Sequence, residues 1–182
     1  MEDVGSARVV KHVRPFEKTR KRLAVLAVAD EAQACGRPRH ACDTAQVPTS
    51  YIQSGNVICE SSLSEAALQK TLDMALAKRM GKRVPVAVRT AEELAAVVAD
   101  DPFIDADPAK VGILFLMKPV GKGFLTGVST TTGDEVRLGE RVVYIHYPNG
   151  MGQTKLKLPE EAAEGTVRNL NTVRKLVEIA GE

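Results

Sequence analysis

The stretch YIQSGNVI, residues 51–58, places four polar or small residues between two pairs of apolar, β-forming residues. Serine, glycine and asparagine are common in turns, and glycine adopts positive φ without a steric cost. The pattern therefore predicts a turn between two extended segments. A turn explains Ser54 and Gly55 but explains Gln53 less well, because the Gln53 amide is able to bind a polar ligand. We therefore count Gln53, Ser54 and Asn56 as candidate ligand-binding residues.

The composition is that of a soluble globular protein. A chain of 182 residues suffices for one ordinary domain or two small ones, and 44% hydrophobic with 26% charged residues provides both a core and a solvated surface. The net charge of +2 gives no general reason to expect a nucleic acid or a membrane as partner. The longest apolar run, residues 23–29, is too short to span a bilayer.

The chain start and the cysteines predict a cytoplasmic location. Glu2 and Asp3 follow the first methionine, and the basic-then-apolar start of a secretory signal is not seen. Cys35, Cys42 and Cys59 make an odd count without close pairing, which is typical of reduced thiols.

A helix is predicted after residue 61. Ser62 and Glu65 have the spacing of a capping box, in which side chain and backbone satisfy each other's unpaired groups. One apolar stripe follows at intervals of four, and a glycine then stops the helix: Leu68, Leu72, Leu76, Met80 and Gly81.

A strand and a second helix are predicted next. Valines alternate in VPVAVRT, residues 84–90, and Pro85 favours a strand edge because it has no N–H. Thr90 and Glu93 form a second capping-box spacing, ahead of an apolar face with Leu94, Val97 and Val98. The pair Asp101-Pro102 ends this helix, since proline disfavours helical geometry in the residue before it. The loop-like segment DPFIDADPAK, residues 101–110, is the predicted domain boundary.

The second half repeats this mixture. VGILFLMK, residues 111–118, is a continuous apolar run and predicts a strand covered on both faces. Residues 135–147 predict a hairpin in which Gly139 takes the positive φ of a tight turn. The segment between them, rich in glycine and threonine, has at most one short helix. A helical stripe closes the chain at Leu170, Val173, Leu176, Val177 and Ala180.

Several separated motifs resemble the bacterial family of domain of unknown function 1697. They are YIQSGNV, VPVAVRTAEELAAVVADDPF, YIHYPNGMGQTKL and TVRNLNTVRKL, in family order over about residues 51–180. The resemblance implies an α+β protein of two tandem ferredoxin-like α/β plaits, each βαββαβ. It makes residues 51–53 and 56–59 the second and third strands of the first plait, with Ser54 and Gly55 as the hairpin turn. The family has no established activity.

Two features depart from that family. Its members usually begin with a strand ending in Arg-Gly-(Ile/Val)-Asn-Val-Gly-Gly, followed by a helix, and residues 1–50 show neither. We therefore expect a first plait without a recognisable first strand and helix. An altered start or a shifted reading frame is one hypothesis for this segment. We expect three parts. Residues 1–50 are an atypical segment, and residues 51–102 are the remainder of the first plait. Residues 103–182 are the second plait with a C-terminal helix. Leu170 stands where the family commonly has tryptophan.

Known catalytic and metal-binding patterns fit poorly. GMGQTK, residues 150–155, lacks the Gly-Lys-Ser/Thr spacing of a phosphate loop. Cys35, His40 and Cys42 have irregular spacing and no fourth zinc ligand nearby. His146 has no carboxylate or nucleophile at a readable spacing, which favours a structural role. We therefore predict no metal and no cofactor.

The start of the last helix is the best candidate site. Asn169, Asn171 and Thr172 crowd a helix N-terminus, which favours anions. Arg168 adds a planar fork suited to phosphate or carboxylate, and Lys155 converges on the same place in this hypothesis. Neither basic side chain is expected in the core. In the alternative interpretation, the asparagines only cap the helix and Arg168 pairs with Glu161 or Glu164.

Three function classes stay open. The first is the binding of a small anionic or nucleotide-like ligand near the last helix start and the cleft between the domains. The others are a protein-interaction module without a ligand and an enzyme of unnamed reaction. A pocket lined by the polar motifs favours ligand binding or catalysis, whereas an exposed apolar patch favours the interaction module.

Overall fold

Two four-stranded antiparallel sheets form the framework. The computed structural model describes residues 21–27, 49–51 and 55–181, the first two stretches by their backbone only. Sheet 1 contains β1 (Lys21–Ala27), β2 (Thr49–Tyr51), β3 (Asn56–Ser61) and β4 (Val86–Thr90) in the order β2-β3-β1-β4. Sheet 2 contains β5 (Val111–Phe115), β6 (Glu135–Leu138), β7 (Val142–His146) and β8 (Thr166–Asn169) in the order β6-β7-β5-β8.

Three α-helices lie in the described part of the chain. They are α1 (Glu65–Met80), α2 (Ala91–Ala99) and α3 (Leu170–Gly181). Four 3-10 helices interrupt the connections, at Pro108–Lys110, Phe124–Gly127, Met151–Gln153 and Glu160–Glu164. No described helix has the length and apolar character that crossing a membrane requires. The predicted mixture of helices and antiparallel strands is confirmed.

Helices α2 and α3 pack between the two sheets. Buried side chains of α3, including Leu176, share one cluster with Ile113 of sheet 2 and with Ile58 of sheet 1. Helix α1 covers the other face of sheet 1 through Leu68, Leu72 and Leu76. Loops cover the other face of sheet 2 with Phe124 and Tyr147, among others. Each sheet therefore has both faces covered, and successive strand residues enter different clusters.

The expectation of a first sheet without its first strand is wrong. Strand β1 lies in the middle of sheet 1 and pairs with both β3 and β4. Its sequence KRLAVLA includes most of the long apolar run, which is typical of a central strand in a sheet covered on both faces. The expected lack of the helix that usually follows this strand in the family concerns residues 28–48, which lie outside the described residues.

The hairpin around residues 51–58 forms with shifted bounds: β2 ends at Tyr51, two residues earlier than expected, and β3 continues to Ser61, two residues further than expected. Tyr51 pairs with Asn56, and of the residues between them only Gly55 is described. Gly55 has a φ of 73°, which confirms a left-handed turn position at this glycine.

The local predictions for α1 and α2 hold with one correction. Ser64, not Ser62, caps α1, because its hydroxyl accepts from the Ala67 N–H at 3.3 Å. Gly81 ends α1 in the left-handed region, as predicted. In α2 the capping box of Thr90 and Glu93 is present.

The second half confirms the predicted buried strand, because all five residues of β5 are buried. The β6–β7 hairpin also forms, but Gly139 does not have a positive φ. Glycine is needed there for space: a Cβ at Gly139 would lie 2.7 Å from Val142 Cγ2. In α3, Leu170 is 1% exposed and takes part in the core.

Candidate functional site

A cleft of about 350 Å³ opens between α2 and the β6–β7 hairpin. Its apolar lining comes from both sides, from Ala96 and Val97 of α2 and from Leu138 and Val142 of the hairpin. The polar lining residues are Arg89, Glu93, Asp100, Glu140, Arg141 and Tyr144. This volume lies at the lower end of the range for small-molecule pockets.

Arg141 is held by two carboxylates from the first half of the chain. Its Nη1 lies 2.6 Å from Oε1 of Glu65, at the start of α1, and its Nη2 lies 2.5 Å from Oε1 of Glu93, in the first turn of α2. The hydrogen bond to Glu65 is the main reason why the pKa of Arg141 is raised. The guanidinium therefore joins the hairpin of sheet 2 to the first turns of two helices.

Glu93 serves both the helix cap and the cleft. Its Oε2 accepts from the Thr90 N–H at 2.9 Å, while its Oε1 accepts from Arg141. The capping box therefore orients the carboxylate that holds Arg141. A ligand that displaced Glu93 from Arg141 would also disturb the start of α2.

Arg89 lies beneath this network and is 2% exposed. It donates to the carbonyl oxygens of Leu116 at 2.5 Å and of Arg141 at 3.2 Å, both in the second half of the chain. Burial, followed by the nearby charge of Arg141, lowers the pKa of Arg89 to about 10. Arg89 remains charged at neutral pH and anchors sheet 1 to the backbone of the second half.

Tyr144 and Asp100 line the cleft beside the carboxyl end of α2. The Tyr144 hydroxyl donates to the carbonyl oxygen of Val97, in the last turn of α2, at 3.0 Å. Burial, together with the charges of Asp100 and Asp101, raises the pKa of Tyr144 to about 12. The hydroxyl is therefore protonated at neutral pH and is not a ready base.

Two of the predicted ligand-binding residues meet, but they bind each other. Arg168 Nε donates to Asn56 Oδ1 at 2.7 Å, and Arg168 Nη1 donates to Thr166 Oγ1 at 2.7 Å. Arg168 is 7% exposed, so the expectation that it lies outside the core is wrong. Burial lowers its pKa to about 10. The interpretation of a brace to Glu161 or Glu164 is replaced by this inward contact.

The asparagines at the start of α3 have structural contacts. Asn169 Oδ1 accepts from the Asn171 N–H at 2.9 Å, and Asn169 Nδ2 donates to the Ala109 carbonyl at 2.9 Å. Asn171 is exposed and Thr172 is half-buried. The capping role that the sequence left open for Asn169 is therefore present.

Lys155 is exposed and belongs to a separate polar cluster around Asp134. Its backbone N–H donates to Thr132 Oγ1 at 3.1 Å. Asp134 Oδ2 accepts from the hydroxyls of Thr130, Thr132 and Thr154. Burial opposes the charge of Asp134, but these hydroxyl bonds prevail and lower its pKa. This cluster ties two loops of sheet 2 together.

Gln53 and Ser54 lie outside the described residues. Cys35, His40 and Cys42 also lie outside them. Within the described ranges, no group of three His, Cys, Asp or Glu side chains is placed to hold a metal ion.

Sequence reasoning missed both arginines of the cleft. In VPVAVRT the alternating valines form the strand face that packs against α1. The same alternation assigns Arg89 to the opposite face, which the pattern predicts to be exposed to solvent. Arg141 follows a turn and carries no motif. The one available signal was Glu93, whose capping box placed it correctly at the start of α2.

The chain has a mixed α+β fold, and a protein-family model matches it. The chain belongs to the family described as "Protein of unknown function (DUF1697)", whose model matches residues 40–144, more than half of the chain. The resemblance read from the separated motifs is thereby confirmed.

A solved structure has a similar fold. It is that of a conserved bacterial protein from Streptococcus pneumoniae, with a TM-score of 0.60 and 17% sequence identity. The similarity covers 89% of this chain and 99% of that one. At this identity the likeness concerns the fold alone. No curated protein matches the chain.

Proposed function

We propose that this protein binds a small molecule in the cleft between α2 and the β6–β7 hairpin. The observation that carries the proposal is a cleft of about 350 Å³ whose lining combines apolar side chains with polar and charged ones. Ligand sites combine mostly apolar surface with a few fixed polar groups in this way.

Two charged side chains of the cleft, Glu93 and Arg141, are held in place before any ligand arrives. Glu93 is oriented by the capping box, and Arg141 is held by both Glu65 and Glu93. Groups already fixed in place lose little conformational entropy on binding. Binding therefore has better support than catalysis, because the Tyr144 hydroxyl is protonated and Arg141 is already paired.

The anionic or nucleotide-like ligand expected near the start of α3 has weaker support. That proposal relies on Arg168, whose guanidinium is buried against Asn56 and Thr166. It also relies on Lys155, whose backbone contact is with Thr132 in the Asp134 cluster. An interaction module has no better support, since among the described residues the most exposed large apolar side chains are Met74 of α1 and Ile104 of the segment after α2, which belong to different parts of the chain.

A two-plait architecture is also a proposal. In each sheet the order of first, second, third and fourth strand is 2-3-1-4, the order of an α/β plait. In sheet 1, α1 connects the third strand to the fourth. In sheet 2 the connections β5–β6 and β7–β8 contain 3-10 helices instead. Sheet 2 is therefore a plait with reduced crossovers in this proposal, and the boundary near residue 102 separates the two units.

The experiment is a ligand screen on the wild-type protein, followed by the same measurement on a variant whose cleft is blocked. Amines, alcohols, carboxylates and phosphates are tested by thermal shift and then by calorimetric titration. Ala96 and Ala95 are both exposed on α2, but only Ala96 lines the cleft. Ala96→Trp should abolish binding of any hit, whereas Ala95→Trp should leave it unchanged. Hits that survive Ala96→Trp, or the absence of any hit, would contradict the proposal.

A further inference from the structure

The charged side chains that line the cleft differ in whether they have hydrogen-bond or ion-pair partners. Both arginines in the lining have partners: Arg141 pairs with two glutamates, and Arg89 donates to backbone carbonyls. Among the described residues, the carboxylates of Asp100 and Glu140 make no hydrogen bond or ion pair, although both line the cleft. The charged groups of the cleft without a partner in the described residues are therefore two carboxylates, and their charge is negative.

The carboxyl end of α2 adds to this negative field. Helix α2 ends at Ala99 with Asp100 as its C-cap, and its last turn contains no basic residue. The carboxyl end of a helix carries a partial negative charge and is usually matched by lysine or arginine. Here the chain continues with Asp100 and Asp101, so the partial negative charge at this end of α2 is reinforced instead of being balanced by a basic residue of its last turn.

Asp101 follows Asp100 directly and, although it does not line the cleft itself, adds a buried negative charge near it. It is 7% exposed, and its Oδ1 accepts from the Phe103 N–H at 3.0 Å. Its Oδ2 is buried and has no hydrogen-bond donor in the described part of the chain. A buried carboxylate oxygen without a donor is rare in folded proteins and calls for a compensating positive charge. The charges of Asp100 and Asp101 both act on Tyr144, which lines the cleft.

We infer that the ligand is a small organic cation, an amine on an apolar stem, whose positive group lies beside Asp100 at the carboxyl end of α2. The stem lies along Ala96, Val97 and Leu138. Asp101 and Glu140 strengthen the negative field around the bound amine. This inference rests on the proposed function and adds the chemical class of the ligand.

Three probes of equal stem length separate charge from shape. We expect hexylamine, protonated at pH 7, to bind at least about tenfold more tightly than hexanol, and heptanoate to bind more weakly than either, because all three carry the same hexyl stem and differ in the charge at its end. The preference for the amine should shrink as salt is raised. Calorimetric titration of the full chain measures all three.

The variant Asp100→Asn identifies the recognising carboxylate. Asp100 is exposed, so the fold tolerates this change, and amine affinity should fall about five- to tenfold while hexanol affinity stays the same. Asp105→Asn is the control, because Asp105 is exposed and does not line the cleft. Equal binding of amine and alcohol, blocked by Ala96→Trp, would overturn the ligand class and keep the site. Failure of every probe and of the wider screen would overturn both.

Discussion

Arg168 Nε donates a 2.7 Å hydrogen bond to Asn56 Oδ1 and so joins the last strand of sheet 2 to sheet 1. The converse contact is made by Arg89, which extends from sheet 1 to the Leu116 and Arg141 carbonyls. Each half of the molecule therefore sends one buried arginine into the other. Both arginines lie on the sheet faces that α2 and α3 occupy, where the charge is buried but hydrogen-bonded.

Removal of Arg168 should destabilise the fold. Arg168→Ala takes the donor from Asn56 Oδ1 and leaves a void, so we expect a loss on the order of 3 kcal/mol in the free energy of unfolding. Chemical denaturation measures this loss. Lys155→Ala, at an exposed position, should change it by less than about 0.5 kcal/mol. In a double-mutant cycle with Asn56→Ala, a coupling near zero would contradict the contact.

Arg89 should matter more for stability than Arg141. Arg89→Ala strips hydrogen bonds from several buried carbonyl oxygens, and each such group costs about 1–3 kcal/mol when it is left unpaired. The Arg141 side chain is 24% exposed, so solvent compensates part of its loss. We expect Arg89→Lys to recover little of the stability that Arg89→Ala loses, because one ammonium cannot replace the planar guanidinium and its several donors. Denaturant midpoints of Arg89→Ala, Arg89→Lys and Arg141→Ala test this order of stability. Equal losses of stability in Arg89→Ala and Arg141→Ala would contradict it.

Gly55→Ala should destabilise by more than about 1 kcal/mol, because a Cβ is poorly tolerated at the positive φ of this turn. Gly152→Ala is the matched comparison. Gly152 has open space around it and no positive φ, so its replacement should be nearly neutral. A change of a few tenths of a kcal/mol at Gly55, measured by urea denaturation, would argue against the turn geometry.

Stability should fall in acid partly through Asp134. Its folded-state pKa lies below the ordinary value of 3.8, because hydroxyl bonds from Thr130, Thr132 and Thr154 outweigh burial. The stability that this carboxylate contributes is therefore complete above about pH 4 and is lost as the pH falls through the folded-state pKa. Unfolding of Asp134→Asn from pH 7 to 2.5 should show less loss in that window and lower stability at pH 7. Asp105→Asn should keep the wild-type profile; identical profiles for both variants would refute the role.

Local patterns account for much of the secondary structure. The stripe of Leu68, Leu72 and Leu76 identified α1, and the pair Thr90 and Glu93 identified the start of α2. The failures among these elements were also local in cause. Three serines compete at the start of α1, and Ser61 Oγ accepts from the Leu63 N–H at 3.1 Å, so the helix begins after Ser64 instead of Ser62. At Gly139 the need for space beside Val142 was mistaken for a need for positive φ.

The sequence by itself determined the class of fold, the family and the presence of most helices and strands after residue 55, because those depend on residues that are close in the chain. Tertiary structure decided the candidate site. Alternation along β4 separates the two faces at Arg89, but it does not reveal that another sheet lies beyond the second face. The same holds for Arg168, whose partner Asn56 is 112 residues away. The interior role of such a side chain depends on hydrogen-bond partners that only long-range packing brings close enough to replace water.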